Sequence, residues 1–312
     1  MPVVSRHIRR FSFFERLEIK LLRSYLLKRS QSHLSNYPVP MAVMAFDFIA
    51  NEISIHGVYE LDELVNVFNA LRGFESQFLG GTACDIGANV GNHSRFFADR
   101  FEKVISFEPN PIILDLLKFN TRNYPNIVVS ETALGNCEGL TRLAGDKSNL
   151  GNYSIISRID EPISKNHLIT KQDFEVQIRT LDSMQDSLRN LQFIKLDVEG
   201  SEHQVLIGAT QCIREFHPVI VFEQWPNDFI NGISKSIEYL ASFGYEFYWQ
   251  KNYSSNKQKI IRKLSQVIQS LAGFQVEYIE TSNSVPPGHY SMLLAIHESK
   301  VARFLSTKEN DL

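Results

Sequence analysis

From residue 81 onward, short apolar runs rich in β-branched residues alternate with stretches whose apolar residues recur at helical spacing. Thr82-Ala83-Cys84-Asp85-Ile86 precedes a helical pattern through Phe96, Phe97 and Phe101, and Lys103-Val104-Ile105-Ser106-Phe107 precedes one through Ile112, Ile113, Leu116 and Leu117. Ile127-Val128-Val129 follows. Much later come Phe193-Ile194-Lys195-Leu196, a helix through Val205, Leu206, Ala209 and Ile213, and Val219-Ile220-Val221-Phe222. Such repetition implies an α/β fold, a parallel sheet with helices on both faces, because each connection has to cross back over the sheet before the next strand can join it. The last apolar runs, 245–249 and 290–296, leave no room for an ordinary crossover and are expected to pair antiparallel at one edge. Between Gly139 and Asp182 no long helix is legible, and 140–143 and 174–178 read as strands of an inserted hairpin or lobe.

A chain of 312 residues, 43% apolar and 21% charged, can bury a large core and is neither disordered nor fibrous in composition. Its formal charge of −3 does not announce a nucleic-acid partner, and none is expected. Residues 1–30 nevertheless hold eight Lys or Arg against Glu15 and Glu18. Over 10–29 the spacing of Phe14, Leu17, Leu21 and Tyr25 predicts a basic helix with an apolar face. That helix is either a cover on the main domain or a contact to a membrane surface or anionic partner. Three scattered cysteines make no disulfide framework, and no His/Cys spacing suits a metal. Without a long apolar run, a reducing, cytoplasmic setting is expected. The organisation read from the sequence is an N-terminal helical extension (1–57), a main domain (58–300) with insertions at 139–182 and 251–289, and a tail (301–312). The second insertion is basic and expected to be helical, with Lys251, Lys257, Lys259, Arg262 and Lys263 and no acid before Glu277.

Three clusters fall at strand ends, where open parallel sheets bind their ligands. Asp85-Ile86-Gly87-Ala88-Asn89-Val90-Gly91 joins the first strand to its helix. Its G-x-x-x-G spacing differs from dinucleotide and phosphate loops, which disfavours a diphosphate ligand. Phe107-Glu108-Pro109 ends the second strand, where a carboxylate can accept hydrogen bonds from ribose hydroxyls. Ile194-Lys195-Leu196-Asp197-Val198-Glu199-Gly200-Ser201-Glu202 gathers acids that repel one another unless water, a cation or a substrate satisfies them. Glu223, ending the next strand, is placed to join them on the substrate side.

These motifs, with Thr132-Ala133-Leu134-Gly135 and Thr180-Leu181-Asp182 between them, occur in an order that resembles the FkbM-type methyltransferases over about residues 58–225. The resemblance implies a Rossmann-like, seven-stranded, mostly parallel sheet with an antiparallel last strand. It further implies S-adenosylmethionine as cofactor, with Glu60, Asp85, Gly87, Asn89, Gly91, Glu108, Thr132 and Asp197 around it: Gly87, Asn89 and Gly91 near the methionine part, Glu108 on the ribose and Thr132 near adenine. Members of this family methylate hydroxyls of small molecules or sugars, so a small-molecule or glycan acceptor is the implied substrate. A hydroxyl acceptor has to lose a proton near the transition state, and Asp197, Glu199 and Glu202 are the candidate bases, in that order. The same acids could instead hold a divalent cation, although no metal site is predicted. Three rival readings use the same sheet: a nicotinamide-dependent oxidoreductase, a nucleic-acid amine methyltransferase, whose usual Asn/Asp-Pro-Pro-aromatic motif is replaced here by Asp197-Val198-Glu199-Gly200, and a noncatalytic binding module.

Overall fold

The computed structural model describes residues 12–36, 39–45, 47–146, 153–156, 171–250, 278–279 and 285–306. Its backbone divides into two units, Met1–Tyr59 and Glu60–Leu312. In the first, α1 (Phe13–Asn36) continues past the expected end at Arg29 because no breaker intervenes before Pro38. Asp47 caps α2 (Phe48–His56) by accepting from Ile49 N at 3.1 Å, and Gly57, at φ +90°, ends it. In the last two turns of α1, Arg29 Nε donates to Ile55 O at 2.7 Å, and His33 Nε2 lies 3.1 Å from the same oxygen.

The second unit opens with α3 (Leu61–Ala70) and α4 (Glu75–Leu79), then β1 (Thr82–Ile86), α5 (Asn92–Ala98), β2 (Lys103–Phe107), α6 (Pro111–Thr121) and β3 (Ile127–Ser130). Asn110 caps α6 by accepting from Ile112 N, and Pro111 fits its first turn, where no N–H donor is needed. After the inserted segment come β8 (Leu191–Leu196), α7 (Glu202–Ile207), α8 (Thr210–Phe216), β9 (Val219–Gln224), α9 (Lys235–Ala241), β12 (Tyr245–Gln250), β14 (Tyr290–His297) and α10 (Glu298–Ser306). The main sheet runs β12-β14-β9-β8-β1-β2-β3, with the two-residue β13 (Tyr278–Ile279) outside β12. The five strands from β9 to β3 are parallel, while β14 runs antiparallel to both of its neighbours. The antiparallel pairing expected of the last two runs is therefore present, and the final strand slots between β9 and β12.

Alternation along the strands supplies both faces of the core. Cys84, Ile86, Ile105, Phe107, Ile194, Leu196, Ile220 and Phe222 share one buried cluster. On the other face Phe193 meets Phe78, Phe97 and Phe101 at ring-centroid distances of 5.2–6.1 Å. The insertion is larger than a hairpin: β5 (Gly139–Asp146) and β7 (Lys171–Arg179) pair antiparallel, β6 (Tyr153–Ile156) flanks β5, and β4 (Ala133–Leu134) pairs parallel to β7. A two-residue strand such as β4 is too short to show a period in sequence. Asp182, after this sheet, accepts from the backbone N–H groups of Gln211 and Cys212 at 2.9 Å and so fixes the start of α8. A short hairpin, β10 (Phe229–Ile230) and β11 (Ile233–Ser234), follows β9.

Residues expected to begin a tail at 301 lie inside α10, whose Phe304 is buried against Tyr248 and whose Arg303 Nε donates to Gly73 O at 2.6 Å. Val301, Phe304 and Leu305 supply the helical spacing. The basic insertion lies outside the described residues over 251–277 and 280–284. No described helix is long and apolar enough to cross a membrane.

Candidate active site

Parallel pairing in register sets residues side by side on one face. Asp85 of β1 is level with Ser106 of β2 on one side and Lys195 of β8 on the other. This yields a buried polar row inside an otherwise apolar sheet. Asp85 is fully buried; its Oδ2 accepts from Ser94 Oγ at 2.6 Å, Ser106 Oγ donates to Ser94 Oγ at 2.7 Å, and Lys195 Nζ lies 3.8 Å from Asp85 Oδ1. Lys195 Nζ also pairs with Asp197 Oδ2 at 3.0 Å. Burial opposes the Lys195 charge, but Asp197 and Asp85 outweigh it and raise its pKa.

The strand order reverses at β1, because β2 and β8 flank it, and crevices form at the carboxyl ends of strands there. Beyond β1 the chain turns tightly, with Gly87 at φ +81°, Asn89 at +50° and Gly91 at +87°. The N–H groups of Gly87 and Ala88 both donate to Phe107 O. A Cβ on Gly87 would sit 1.8 Å from the Asp197 carbonyl oxygen, so glycine is required here by the approach of the β8 loop. Gly91 meets a similar demand from α6, since a Cβ would lie 2.8 Å from Leu117 Cδ1. Gly87→Ala should therefore cost about 1–3 kcal/mol of folding stability, read by denaturant titration, with or without ligand. An unchanged midpoint would show that the β8 loop shifts freely.

At the end of β2, Glu108 is buried and accepts from Asn89 N at 2.9 Å and Asn110 N at 2.8 Å. Burial pushes its pKa up to about 7 despite those two donors. Each carboxylate oxygen keeps a second acceptor direction. At the end of β3, the Ser130 and Thr132 hydroxyls bond to each other at 2.7 Å. Carboxylate and hydroxyl groups thus occupy the ends of successive strands.

The acids after β8 separate into different environments. Burial works against ionisation of Asp197, but Lys195 beside it prevails and holds its pKa below the ordinary range. Glu199 stands at φ +52° on the loop, and burial, with Asp197, Glu223 and Glu202 adding repulsion, pushes it up to about 7. Glu202 is buried, and its Oε1 accepts from Val198 N and Gly200 N at 3.2 Å, so its carboxylate shapes the loop. Glu223, at the end of β9, lies 3.2 Å from His289 Nε2, and the His289 ring packs on Trp225 at 4.1 Å between centroids. Burial and the Asp197 charge raise the Glu223 pKa. His203 turns instead toward Tyr239 of α9.

Of the residues singled out in sequence, Asn89, Glu108, Thr132, Asp197, Glu199 and Glu223 lie at strand ends or the loops just beyond them. Asp85 lies beneath this rim, buried in the polar row, and Glu202 is buried in its loop. Glu60, in a left-handed conformation before α3, faces the buried His93 at 3.3 Å. Sequence reasoning missed Lys195, Ser94, Ser106 and His93. Lys195 carries a detectable signal, a lone cation inside the apolar run Phe193-Ile194-Lys195-Leu196; the others take their meaning from strand register and packing. Among the described residues, no three His, Cys, Asp or Glu side chains group as metal ligands.

Comparison with known proteins gives a family match over residues 85–247, to the methyltransferase FkbM domain. Hexuronic acid methyltransferase AglP of Haloferax volcanii is 30% identical over 143 residues, 44% of this chain and 53% of that protein. The match thus spans about half the length of this curated relative. Among solved structures, a methyltransferase FkbM from Methylobacillus flagellatus KT aligns with TM-score 0.35 and 18% identity over 70% of this chain and 44% of that one. Magnesium protoporphyrin IX methyltransferase from Synechocystis PCC 6803, with bound SAM, aligns with TM-score 0.40 and 10% identity over 89% and 96%.

Proposed function

The chain belongs to the FkbM methyltransferase family, and from that premise we propose that it moves a methyl group from S-adenosylmethionine to a hydroxyl of a sugar, glycan or small metabolite. The observation that carries this reading is the placement of two carboxylates just beyond strand ends on either side of the strand-order reversal. Glu108 lies on the β2 side with unused acceptor directions, and Glu199 lies on the β8 side within an acidic mouth. The hexuronic acid named for the half-length relative supports a sugar-type acceptor.

The cofactor fits the donor set. Glu108 would accept from the two ribose hydroxyls, Asn89 and its neighbours would line the methionine part, and Thr132 would stand near the base. The chemistry supplied by bound S-adenosylmethionine is an electrophilic methyl group on a sulfonium, for which positioning of the acceptor and exclusion of water suffice. Asp85 acts through Ser94 and Lys195 and holds β1, α5 and β8 in place. Lys195 keeps Asp197 ionised. Glu199, able to exchange a proton near neutral pH, takes the proton from the acceptor hydroxyl. Glu223 and the Trp225–His289 pair line the acceptor side.

Because the Glu108 pKa is raised to about 7, the free protein holds its proton below that pH, and a protonated carboxyl loses an acceptor position for a ribose hydroxyl. S-adenosylmethionine should therefore bind more tightly as pH rises through 7, with proton release on binding below it. Calorimetry in buffers of different ionisation enthalpy reads both effects. Glu108→Gln should remove the proton release and weaken binding by about 1.5–3 kcal/mol. Transfer of labelled methyl to an array of monosaccharides, glycans and hydroxylated metabolites tests the reaction itself. Absence of S-adenosylmethionine binding to the folded protein would end this reading.

A further inference from the structure

Just beyond the end of β9 the chain presents an aromatic surface that methyl transfer does not itself require. Side chains two apart on extended backbone share a face, so Glu223 and Trp225 stand on the same side of this sheet end. β14 runs antiparallel to β9 with Tyr290 opposite Gln224, and the same register carried one residue further sets His289 opposite Trp225. The His289 ring packs on one face of the indole, 4.1 Å between centroids and tilted by 31°. Its Nε2 lies 3.2 Å from Glu223 Oε1, and the Trp225 side chain is a second hydrogen-bond partner of the Glu223 carboxylate.

The backbone under Trp225 is fixed as well. Trp225 N donates to Asp228 Oδ2 at 2.6 Å, Gln224 Nε2 reaches the same oxygen at 3.3 Å, and Ser234 Oγ of β11 donates to Gln224 Oε1. Trp225 is nevertheless 47% exposed, and with His289 against one face the open area is the other face of the indole and its outer edge. A large ring held in one orientation is a preformed contact surface, because little freedom remains to be lost when a ligand packs on it.

The neighbouring charges select the ligand. Asp197 and Glu223 both act on Glu199, and Asp197 acts on Glu223, so the indole borders the acidic mouth. Ionised carboxylates only accept hydrogen bonds, and a ligand spanning this mouth has to bring several donors. The face of an aromatic ring is electron-rich and attracts the partly positive C–H bonds of a saturated ring. A pyranose combines both properties, with hydroxyls around its edge and C–H bonds on its faces. A phenolic ring brings fewer donors and sets its own electron-rich face against the indole.

On the methyl-transfer reading above, we propose that Trp225 is the platform on which a pyranose ring of the acceptor stacks, with Glu223 accepting from a hydroxyl at the edge of that ring. The stack holds the sugar beside Glu199 and makes Trp225 a determinant of acceptor specificity.

Trp225 and Trp249 are the two tryptophans of the chain, so in a Trp249→Phe background the emission reports Trp225 alone. Within a panel of methyl pyranosides of glucose, galactose, mannose and glucuronic acid, at least one should change that emission saturably, whereas D-glucitol, a polyol with no ring face, should not. In ligand-observed nuclear magnetic resonance, Trp225→Ala should weaken binding of the responding pyranoside at least about tenfold, and Trp225→Phe should retain most of it. S-adenosylmethionine affinity, measured separately by calorimetry, should be unchanged in both variants. Retained S-adenosylmethionine binding with no response to any pyranoside overturns the platform and leaves the methyl-transfer reading standing. A pyranoside response without S-adenosylmethionine binding overturns that reading and leaves a sugar-binding surface. An equal response to D-glucitol, wild-type pyranoside binding by Trp225→Ala, or binding of catechol in place of every pyranoside also overturns the platform.

Discussion

Glu199→Gln should lower kcat by about 10²–10⁴-fold and leave S-adenosylmethionine affinity within a factor of about two, the signature of a lost general base rather than a lost binding contact. The direction of its pH dependence follows from the raised pKa. Glu199 is protonated below about 7 in the ligand-free protein, so wild-type turnover should rise with pH through that value, and the Gln variant should lose this limb. Asp197 affects the profile from a distance. Its negative charge is one cause of the raised Glu199 pKa, so Asp197→Asn should move the rising limb toward lower pH while retaining more activity than Glu199→Gln. Measurement needs an acceptor found in the array and single-turnover rates across pH 5–9, a window of about two units either side of 7. If Asp197→Asn abolishes the pH limb and Glu199→Gln keeps it, the roles of the two acids are exchanged.

Lys195→Met should destabilise the fold by about 3–5 kcal/mol, since the change removes the cation between two carboxylates and leaves Asp85 buried with no counter-charge. Lys195 is 6% exposed and Asp85 fully buried, so water cannot substitute for the lost partner. Denaturant unfolding gives the single-variant value, and Lys195→Met combined with Asp85→Asn should recover part of it, because the second change removes the stranded charge. A loss under about 1 kcal/mol in the single variant would mean that the polar row is dispensable to stability. Since the same cation holds Asp197 ionised, the soluble fraction of Lys195→Met should also show a displaced pH–rate profile.

The sequence order of candidate bases, with Asp197 first, differs from what the charges around each acid favour. All three acids sit within six residues, so spacing could not rank them. The ranking depends on Lys195 two residues back along β8, on Glu223 at the end of β9, and on whether the loop turns a carboxylate inward, as it does for Glu202. Glu108 was legible because a carboxylate at a strand end stands out beside apolar neighbours. Its two backbone donors, Asn89 and Asn110, depend on how the β1 turn approaches β2.

The sequence by itself determined the parallel α/β class, the positions of the three strand-end clusters and the family, because strand and helix periods and turn residues are local properties that survive in a linear string. Only the tertiary structure decided which residues became partners. Asp85 acquires Lys195 through strand register, Gly87 must be glycine because the Asp197 carbonyl lies against it, and β14 enters between β9 and β12 through pairing across distant segments. Burial and through-space charge, which set the pKa of Glu108, Asp197 and Glu199, arise from those same non-local contacts and have no counterpart in residue order.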